Sequence, residues 1–446
     1  MKIVATLLDK IPFQFQDGVV SHSSYPFSAA VLRWLYIDFN SYFASVEQEL
    51  NPALRGKPVA VVPVDTDATC AIAASYEAKA FGIRTGTPIY EAKRMCPALI
   101  CVLGQHEKYV DYHHRILKEV ESHIPVTAVC SIDEVACWLM DNETSVAQST
   151  EIALSIKRGL AKNVGEYVKC SIGIAPNRYL AKVATDLKKP DGFTLIEAPD
   201  LPHKLYGLKL RDLPGIGRSM EKRLLLAGIG DMKSLLALSP DRMRVIWGSV
   251  WGEKMWYLLR GKDLPEEETT RSTIGHSHVM APELREPAKA RFVARRLTLK
   301  VASRLRRLGY YASHFSVTAR IENGPRVEAH LACWRAQDTP TFLQLMERGW
   351  NRMVKEARGR RFKKVSVTLS GLTAAGDLQP ELFTALPNVD LRQRAKAERM
   401  SAALDKINHR FGRDSVLVGM LPSQGRSFSG TKIAFTRIPD VEEFLE

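Results

Sequence analysis

The sequence predicts an α+β protein of several domains, and three observations carry that expectation. The chain has 446 residues, and at roughly 150 residues per domain that is room for about three domains. Apolar strand-like runs alternate with helical periods up to about residue 200, give way to a wholly helical pattern over 200–262, and return after residue 270. Between the last two regions lies DLPEEETT (263–270), an acidic stretch with no strand pattern that reads as a linker.

The first strong element is RWLYIDF (33–39), a buried strand that delivers an acid near its end. SYFASVEQEL follows with helical spacing, since Phe43, Val46 and Leu50 recur at three and four residues. PVAVVPV (58–64) is a β-rich run, and SYEAKAFGI is helical up to a stop at Gly82. VTAVCSIDEVACWLM (126–140) reads as apolar strands interrupted by two adjacent acids. A helix, the strand VKCSIGIA and the helix NRYLAKVATDLKK come next. LPGIGRSMEKRLLLAGI sits in the helical region. The later strands are TIGHSHVM, HFSVTARI, RVEAHLACW and KKVSVTLSGL, and one further helix, LRQRAKAERMSAALDKINHRFG, lies in the tail. Residues 1–32 carry no clear period.

Composition narrows the function classes. The formal net charge is +14, which favours a polyanionic partner and says little about fold. Seven cysteines with no CxxC pair argue against a disulfide framework and a zinc site, and point to a reducing cytoplasm. No apolar stretch reaches the roughly 18 residues of a membrane span, and the first residues are too short an apolar run for a secretory signal.

Three patterns carry chemistry. Asp133 and Glu134 sit in an otherwise apolar run, and adjacent carboxylates near a core need a compensating positive charge. Divalent cations supply it, and Asp38 at the end of another buried strand completes a set able to hold two Mg²⁺ ions. A solvated hairpin turn explains the pair equally well on spacing alone. LPGIG (213–217) begins a helix-hairpin-helix pattern in which Gly215 and Gly217 allow a tight turn and backbone N–H groups face a phosphate, with Arg218, Lys222 and Arg223 following. An ordinary turn between packed helices is the plain alternative. Residues 287–320 contain many bases and no acid. Val293, Leu297, Val301, Leu305 and Leu308 form an apolar helical stripe, while Arg291, Arg295, Lys300, Arg304 and Arg307 lie mostly off it, as in a phosphate-tracking face. The basic run RGRRFKK (358–364) adds to it.

Taken in order, YIDFNSYFASVE (36–47), SYEAKAFGIRTGTP (75–88), CSIDE (130–134), SIGIAPNRYLAKVATDLKKPDG (171–192) and LPGIG resemble the Y-family of translesion DNA polymerases over roughly 33–372. The resemblance implies a right hand: palm 33–49 and 109–199, fingers 50–108, and a helical thumb with the helix-hairpin-helix at 200–263. A linker (264–270) would lead to an α+β little finger (271–372) and a tail (373–446), with 1–32 as an N-terminal extension. It implies that Asp38, Asp133 and Glu134, with the Phe39 carbonyl, hold two Mg²⁺ ions. It makes Phe43 the steric gate against a ribose 2′-hydroxyl, with a core aromatic as the alternative, and makes Tyr76, Lys79 and Lys189 contacts of the incoming triphosphate. Lys79 stands where the family usually has Arg, Ala73 where a hydroxyl is common, and Asn40 where an acid is frequent. QPELF (379–383) is similar to a sliding-clamp-binding motif, with Gln379 orienting and Leu382 and Phe383 anchoring.

The expectation is therefore a low-fidelity, DNA-dependent DNA polymerase acting on primer-template DNA and dNTPs. It would be monomeric and cytoplasmic, with a sliding clamp as partner and no membrane. The rivals are a catalytically silent DNA-binding scaffold of the same family and a helix-hairpin-helix repair nuclease.

Overall fold

The computed structural model describes residues 31–265, 270–377 and 391–412, and the single positions 415, 416, 418, 419 and 438. The motif at 379–383 lies outside the described residues. In chain order, β1 (Trp34–Phe39) leads to α1 (Tyr42–Leu50), then β2 (Val59–Val62), β3 (Ala73–Ala74), α2 (Tyr76–Ala80), α3 (Ile89–Met95) and β4 (Ile100–Leu103). Next come α4 (His106–Glu121), β5 (Ala128–Ser131), β6 (Glu134–Trp138), α5 (Val146–Asn163), β7 (Cys170–Ala175), α6 (Arg178–Leu187) and β8 (Phe193–Leu195). Four helices follow, α7 (Arg218–Leu226), α8 (Met232–Leu236), α9 (Pro240–Trp247) and α10 (Val250–Leu258). The chain continues through β9 (Thr273–Val279), α11 (Pro287–Arg307), β10 (Tyr310–Ile321), β11 (Arg326–Ala336), α12 (Thr339–Glu356), β12 (Phe362–Ala374) and α13 (Leu391–Phe411).

These elements form two compact units. Among the described residues, one comprises 31–40, 119–129 and 134–264, and the other 41–118, 130–133 and those from 265 onward. The first is built on a sheet of order β5-β6-β1-β7-β8. β1 is its central strand, antiparallel to β6 and β7, with Asp38 opposite Glu134 on one side and Ser171 on the other. Leu35, Ile37, Val135, Cys137, Ile172 and Ile174 are all buried; a central strand buried on both faces reads as an apolar run.

Helix α6 lies directly on this sheet because Gly173 has no side chain. A Cβ there would stand 2.1 Å from the Ala181 carbonyl oxygen, a clash only backbone movement could relieve. Asn177 caps the helix, accepting from the Leu180 N–H at 2.8 Å. Its amide donates to the Leu258 and Lys262 carbonyls and so ties α6 to the end of α10.

The second unit holds a small sheet of order β3-β2-β4 around an alanine-rich core of Ala60, Ala71, Ala74, Ala78 and Ala92 with Ile83 and Ile89. Its larger sheet has the order β11-β10-β12-β9. On one face, the α11 stripe expected from the sequence (Val293, Leu297, Val301, Leu305) joins Phe315, Phe342, Trp350 and Phe362 in a single core. The other face alternates outward, as an antiparallel sheet covered on one side should. In register it presents Arg326, Arg320 and Lys364 in one row and Glu328, Thr318, Ser366 and Ser277 in the next. Helix α13 belongs to the same unit. Asp405 accepts two hydrogen bonds from Arg306, at 2.6 and 2.9 Å, and the buried Ser401 hydroxyl accepts from the Thr339 N–H at 3.0 Å.

His278 on β9 is 7% exposed and shares the covered face with Ile274. Burial, aided by nearby Arg296 and Lys300, pushes its imidazole down to about 4. The unfolded chain therefore binds the extra proton first as pH falls from about 6.5. This contribution is complete above that pH and is lost on the way to about 4. Urea unfolding at pH 7 and pH 5 should show a smaller loss of stability for His278→Gln than for the native chain. Equal losses would dismiss the assignment.

Candidate active site

The site starts from strand register. Because β1 and β6 pair antiparallel, Asp38 and Glu134 are direct cross-strand neighbours. Like charges so placed repel, and Asp38 is also 7% exposed. Two lysines resolve the conflict. Lys182 Nζ, carried by α6, donates to Asp38 Oδ2 and, at 2.5 Å, to Glu134 Oε1. Lys189 Nζ, just past the end of α6, donates to Asp38 Oδ1 at 2.7 Å and also pairs with Asp186 at 2.7 Å. Tyr36, two residues before Asp38, donates its hydroxyl to Glu134 Oε2 at 3.1 Å.

The charges show the same balance. Burial works to raise the Asp38 carboxyl, but Lys182 and Lys189 outweigh it, and the group is held below the ordinary carboxylate range. Lys182 is affected in the mirror sense. Burial works against its charge, yet Asp38 and Glu134 raise it above the ordinary lysine value. Both partners are ionised at neutral pH, so the cluster is a paired, partly buried charge network.

Lys189 is held by its loop. Asn40, 3% exposed, accepts from the Asp191 N–H at 2.7 Å and donates to Ser171 Oγ at 3.0 Å. Ser171 Oγ accepts from the Gly192 N–H at 3.2 Å. Lys157 adds bonds to the Cys170 and Asp191 carbonyls and a 2.6 Å ion pair to the Asp191 carboxylate. The end of β1, the start of β7 and the Lys189 loop are thereby fixed to one another.

The other expected residues fall as follows. Asp133 directly precedes Glu134, and its carboxylate accepts from Ser131 Oγ at 2.7 Å. His113 anchors this turn through a 2.8 Å bond from its ring Nδ1 to the Ile132 carbonyl; burial lowers its imidazole, so it is neutral and donates. Phe39 ends β1 and is buried. Phe43 is the second residue of α1, its ring stacked on Tyr109 with centroids 4.4 Å apart. Tyr76 and Lys79 share α2, with the ammonium 4.4 Å from the ring centroid.

In the helical region, Gly215 adopts φ +90°, the left-handed conformation that favours glycine. The LPGIG turn is held to α6 by the Tyr179 hydroxyl, which donates to the Pro214 carbonyl at 3.0 Å. Gly217 and Arg218 stand exposed at the start of α7. Arg223 instead donates to the Ile246 and Trp247 carbonyls, which close α9. On α11, Arg295 donates to the Val418 carbonyl at 2.8 Å, and Arg304 is partly buried.

Sequence reasoning missed Lys182 and read Asn40 only as a departure from the family pattern. The available signal for Lys182 was a cation inside LAKVATDL, on a helix whose neighbouring positions Leu180, Ala181, Val183 and Ala184 are buried. Among the described residues, no three His, Cys, Asp or Glu side chains stand together in metal-holding geometry. Two of the expected ligands do converge on one point, since Asp38 Oδ2 and Glu134 Oε1 both accept from Lys182 Nζ, and hard carboxylate oxygens of this kind suit a divalent ion.

The family comparisons bear on the same residues. The model described as the impB/mucB/samB family matches 37–186, its C-terminal domain model matches 271–382, and a DNA polymerase-iota thumb-domain model matches 211–263. The chain is 32% identical over 401 residues to a protein named DNA polymerase IV from Pelotomaculum thermopropionicum, covering 86% of this chain and 94% of the relative. The chain belongs to the Y-family of DNA polymerases. This Y-family chain is also 30% identical over 386 residues to DNA polymerase IV 1 of Bacillus subtilis, covering 84% of this chain and 90% of that one. Its fold matches a solved Y-family polymerase chimera with a TM-score of 0.66 at 22% identity, covering 77% of this chain and 99% of the chimera. The fold is thus the right-hand polymerase with a little-finger domain.

Lys182 Nζ sits against Asp38 Oδ2 and Glu134 Oε1, carboxylates that the resemblance assigns to a divalent ion. Lys182→Gln should lose about 3 kcal/mol of stability in chelator, because it leaves two carboxylates facing each other. Added Mg²⁺ should then raise its Tm more than it raises that of the native protein. Equal Mg²⁺ shifts in the two proteins would show that lysine and metal do not compete.

Proposed function

We propose that this Y-family polymerase extends a primer by adding deoxynucleotides opposite a template, releasing pyrophosphate, with low fidelity and tolerance of damaged template bases. The observation that carries the reading is the in-register pair Asp38 and Glu134, set on adjacent strands with Lys182 and Lys189 against them. Two Mg²⁺ ions held by Asp38, Asp133, Glu134 and the Phe39 carbonyl would supply Lewis-acid activation of the primer hydroxyl and the α-phosphate.

The chain's own groups do the rest. Lys189, released from Asp38, Tyr76 and Lys79 contact the triphosphate and offset charge on the departing pyrophosphate. Lys79 does so as a point charge without the bidentate fork of an arginine. Phe43 stands under the sugar and excludes a 2′-hydroxyl. The LPGIG turn with Gly215, Gly217 and Arg218 holds a DNA phosphate through backbone N–H groups. Arg295 and Arg304 on α11 were the expected basic face of the little finger. On the other face of the larger sheet, Arg320, Arg326 and Lys364 share one register row and add cations to that domain, with Arg326 paired to Glu328 of the next row at 2.9 Å. The domain boundaries follow the family layout given above, and a monomer in the cytoplasm is the working state. No helix among the described residues is long and apolar enough to cross a membrane.

Purified protein with Mg²⁺, dNTPs and a primed template should extend the primer, and Asp133→Ala with Glu134→Ala should abolish extension while leaving DNA binding intact. Unchanged extension by the double variant would dismiss the metal assignment, and primer shortening by the native protein would favour a nuclease. The Gln379–Phe383 motif carries a separate expectation. Deleting Gln379, Leu382 and Phe383 with the residues between them should lower sliding-clamp-stimulated synthesis and spare basal synthesis; equal loss of both would remove the clamp from the account.

A further inference from the structure

Phe43 does not stand alone in its helix. Its ring stacks on Tyr109 of α4 with centroids 4.4 Å apart and planes 14° from parallel. Tyr109 is fully buried, and it grips α1 at two further points. Its hydroxyl donates to Glu47 Oε1 at 2.6 Å, and its carbonyl accepts from the Tyr42 hydroxyl at 2.7 Å. Glu47 is 2% exposed, and its other oxygen accepts from the Gln105 amide at 3.0 Å. Phe43 and Glu47 lie four residues apart, on one face of α1. One tyrosine therefore touches both residues of that face, by its ring and by its hydroxyl.

Packing alone does not require this arrangement. A buried carboxylate costs free energy that an apolar side chain of the same size would not. What the carboxylate adds is direction: a charge-assisted hydrogen bond fixes where the Tyr109 hydroxyl sits. The hydroxyl and the backbone anchor fix the ring plane, and the ring plane limits how far Phe43 can recede. A steric gate discriminates by a clash, and a clash has force only if the wall behind it does not yield. Discrimination against one added hydroxyl is weak where a pocket can relax around it.

We propose that Tyr109, held by Glu47 and Gln105, is a positioning residue that backs Phe43 and sets the enzyme's preference for deoxyribonucleotides over ribonucleotides. The inference rests on the reading of Phe43 as the gate. Tyr109 touches no reacting atom, and the effect is on selectivity.

The test is single-nucleotide insertion by the full-length protein on an undamaged primed template. The kcat/KM values for a dNTP and the matching rNTP are compared in the native protein, Phe43→Ala, Tyr109→Leu, Tyr109→Phe and Glu47→Gln. Tyr109→Leu removes the stack and the bond together, and its dNTP-to-rNTP ratio should fall about tenfold, with dNTP insertion changed much less. Tyr109→Phe keeps the stack and loses the bond, so its ratio should fall by a smaller factor. Glu47→Gln keeps an acceptor for the hydroxyl but loses the charge on that bond, so its ratio should fall, and by no more than that of Tyr109→Phe. A ratio unchanged in both Tyr109 variants, while Phe43→Ala loses its preference, would overturn the inference and leave the gate standing. If Phe43→Ala keeps the native ratio, the gate reading itself fails. Should Tyr109→Leu not fold, Tyr109→Phe decides by the same ratio.

Discussion

The structure depends on one electrostatic constraint, the pairing of Asp38 and Glu134 with Lys182 across adjacent strands. Strand pairing forces the two carboxylates together, and a partly buried like-charged pair is costly without a counter-charge. Lys182 supplies it only because α6 lies close on the sheet, and α6 lies close only because Gly173 has no Cβ to hold it away. The Asn177 cap and its bonds to the end of α10 then fix the helix along its axis. A chemical requirement at one pair of oxygens thus reaches back to a glycine, a cap and the helical region beyond.

Much of this was legible in the sequence. The apolar run at 33–39 with an acid near its end became β1, and the interrupted apolar run at 126–140 holds two strands with Asp133 in the turn and Glu134 opening the second. The hairpin-turn reading and the carboxylate-site reading of those acids were never exclusive, because the turn is what brings Glu134 beside Asp38. The α11 stripe was read correctly, since a 3.6-residue period survives any context that covers one face of a helix.

What was not legible depended on contacts between elements distant in the chain. Lys182 looks like one cation among several in its segment until strand order places Glu134 and Asp38 on the same side of it. Arg223 and Arg295 count as basic residues in a sequence, yet each spends hydrogen bonds on backbone carbonyls. The partnership of Tyr109 with Phe43 and Glu47 joins α4 to α1, more than sixty positions away in the chain, and no local pattern announces it. Charge counts report how many cations a segment holds, and only packing reports which are already committed.

Asn40 has a consequence for the relatives of this protein. Its side chain offers an N–H to Ser171 Oγ and an oxygen to the Asp191 N–H, a two-way role that an amide can fill and a carboxylate cannot. A relative with aspartate at this position could still receive the Asp191 amide, but its Ser171 equivalent would have to turn its own proton toward the carboxylate. Ser171 Oγ is already placed to donate to the Asn40 oxygen at 3.3 Å; with an acid there only that sense would remain, and Ser171 could no longer be replaced by a group that only accepts. Across aligned relatives an acid at position 40 should therefore require a donor at position 171, so that acid–acceptor pairs are absent.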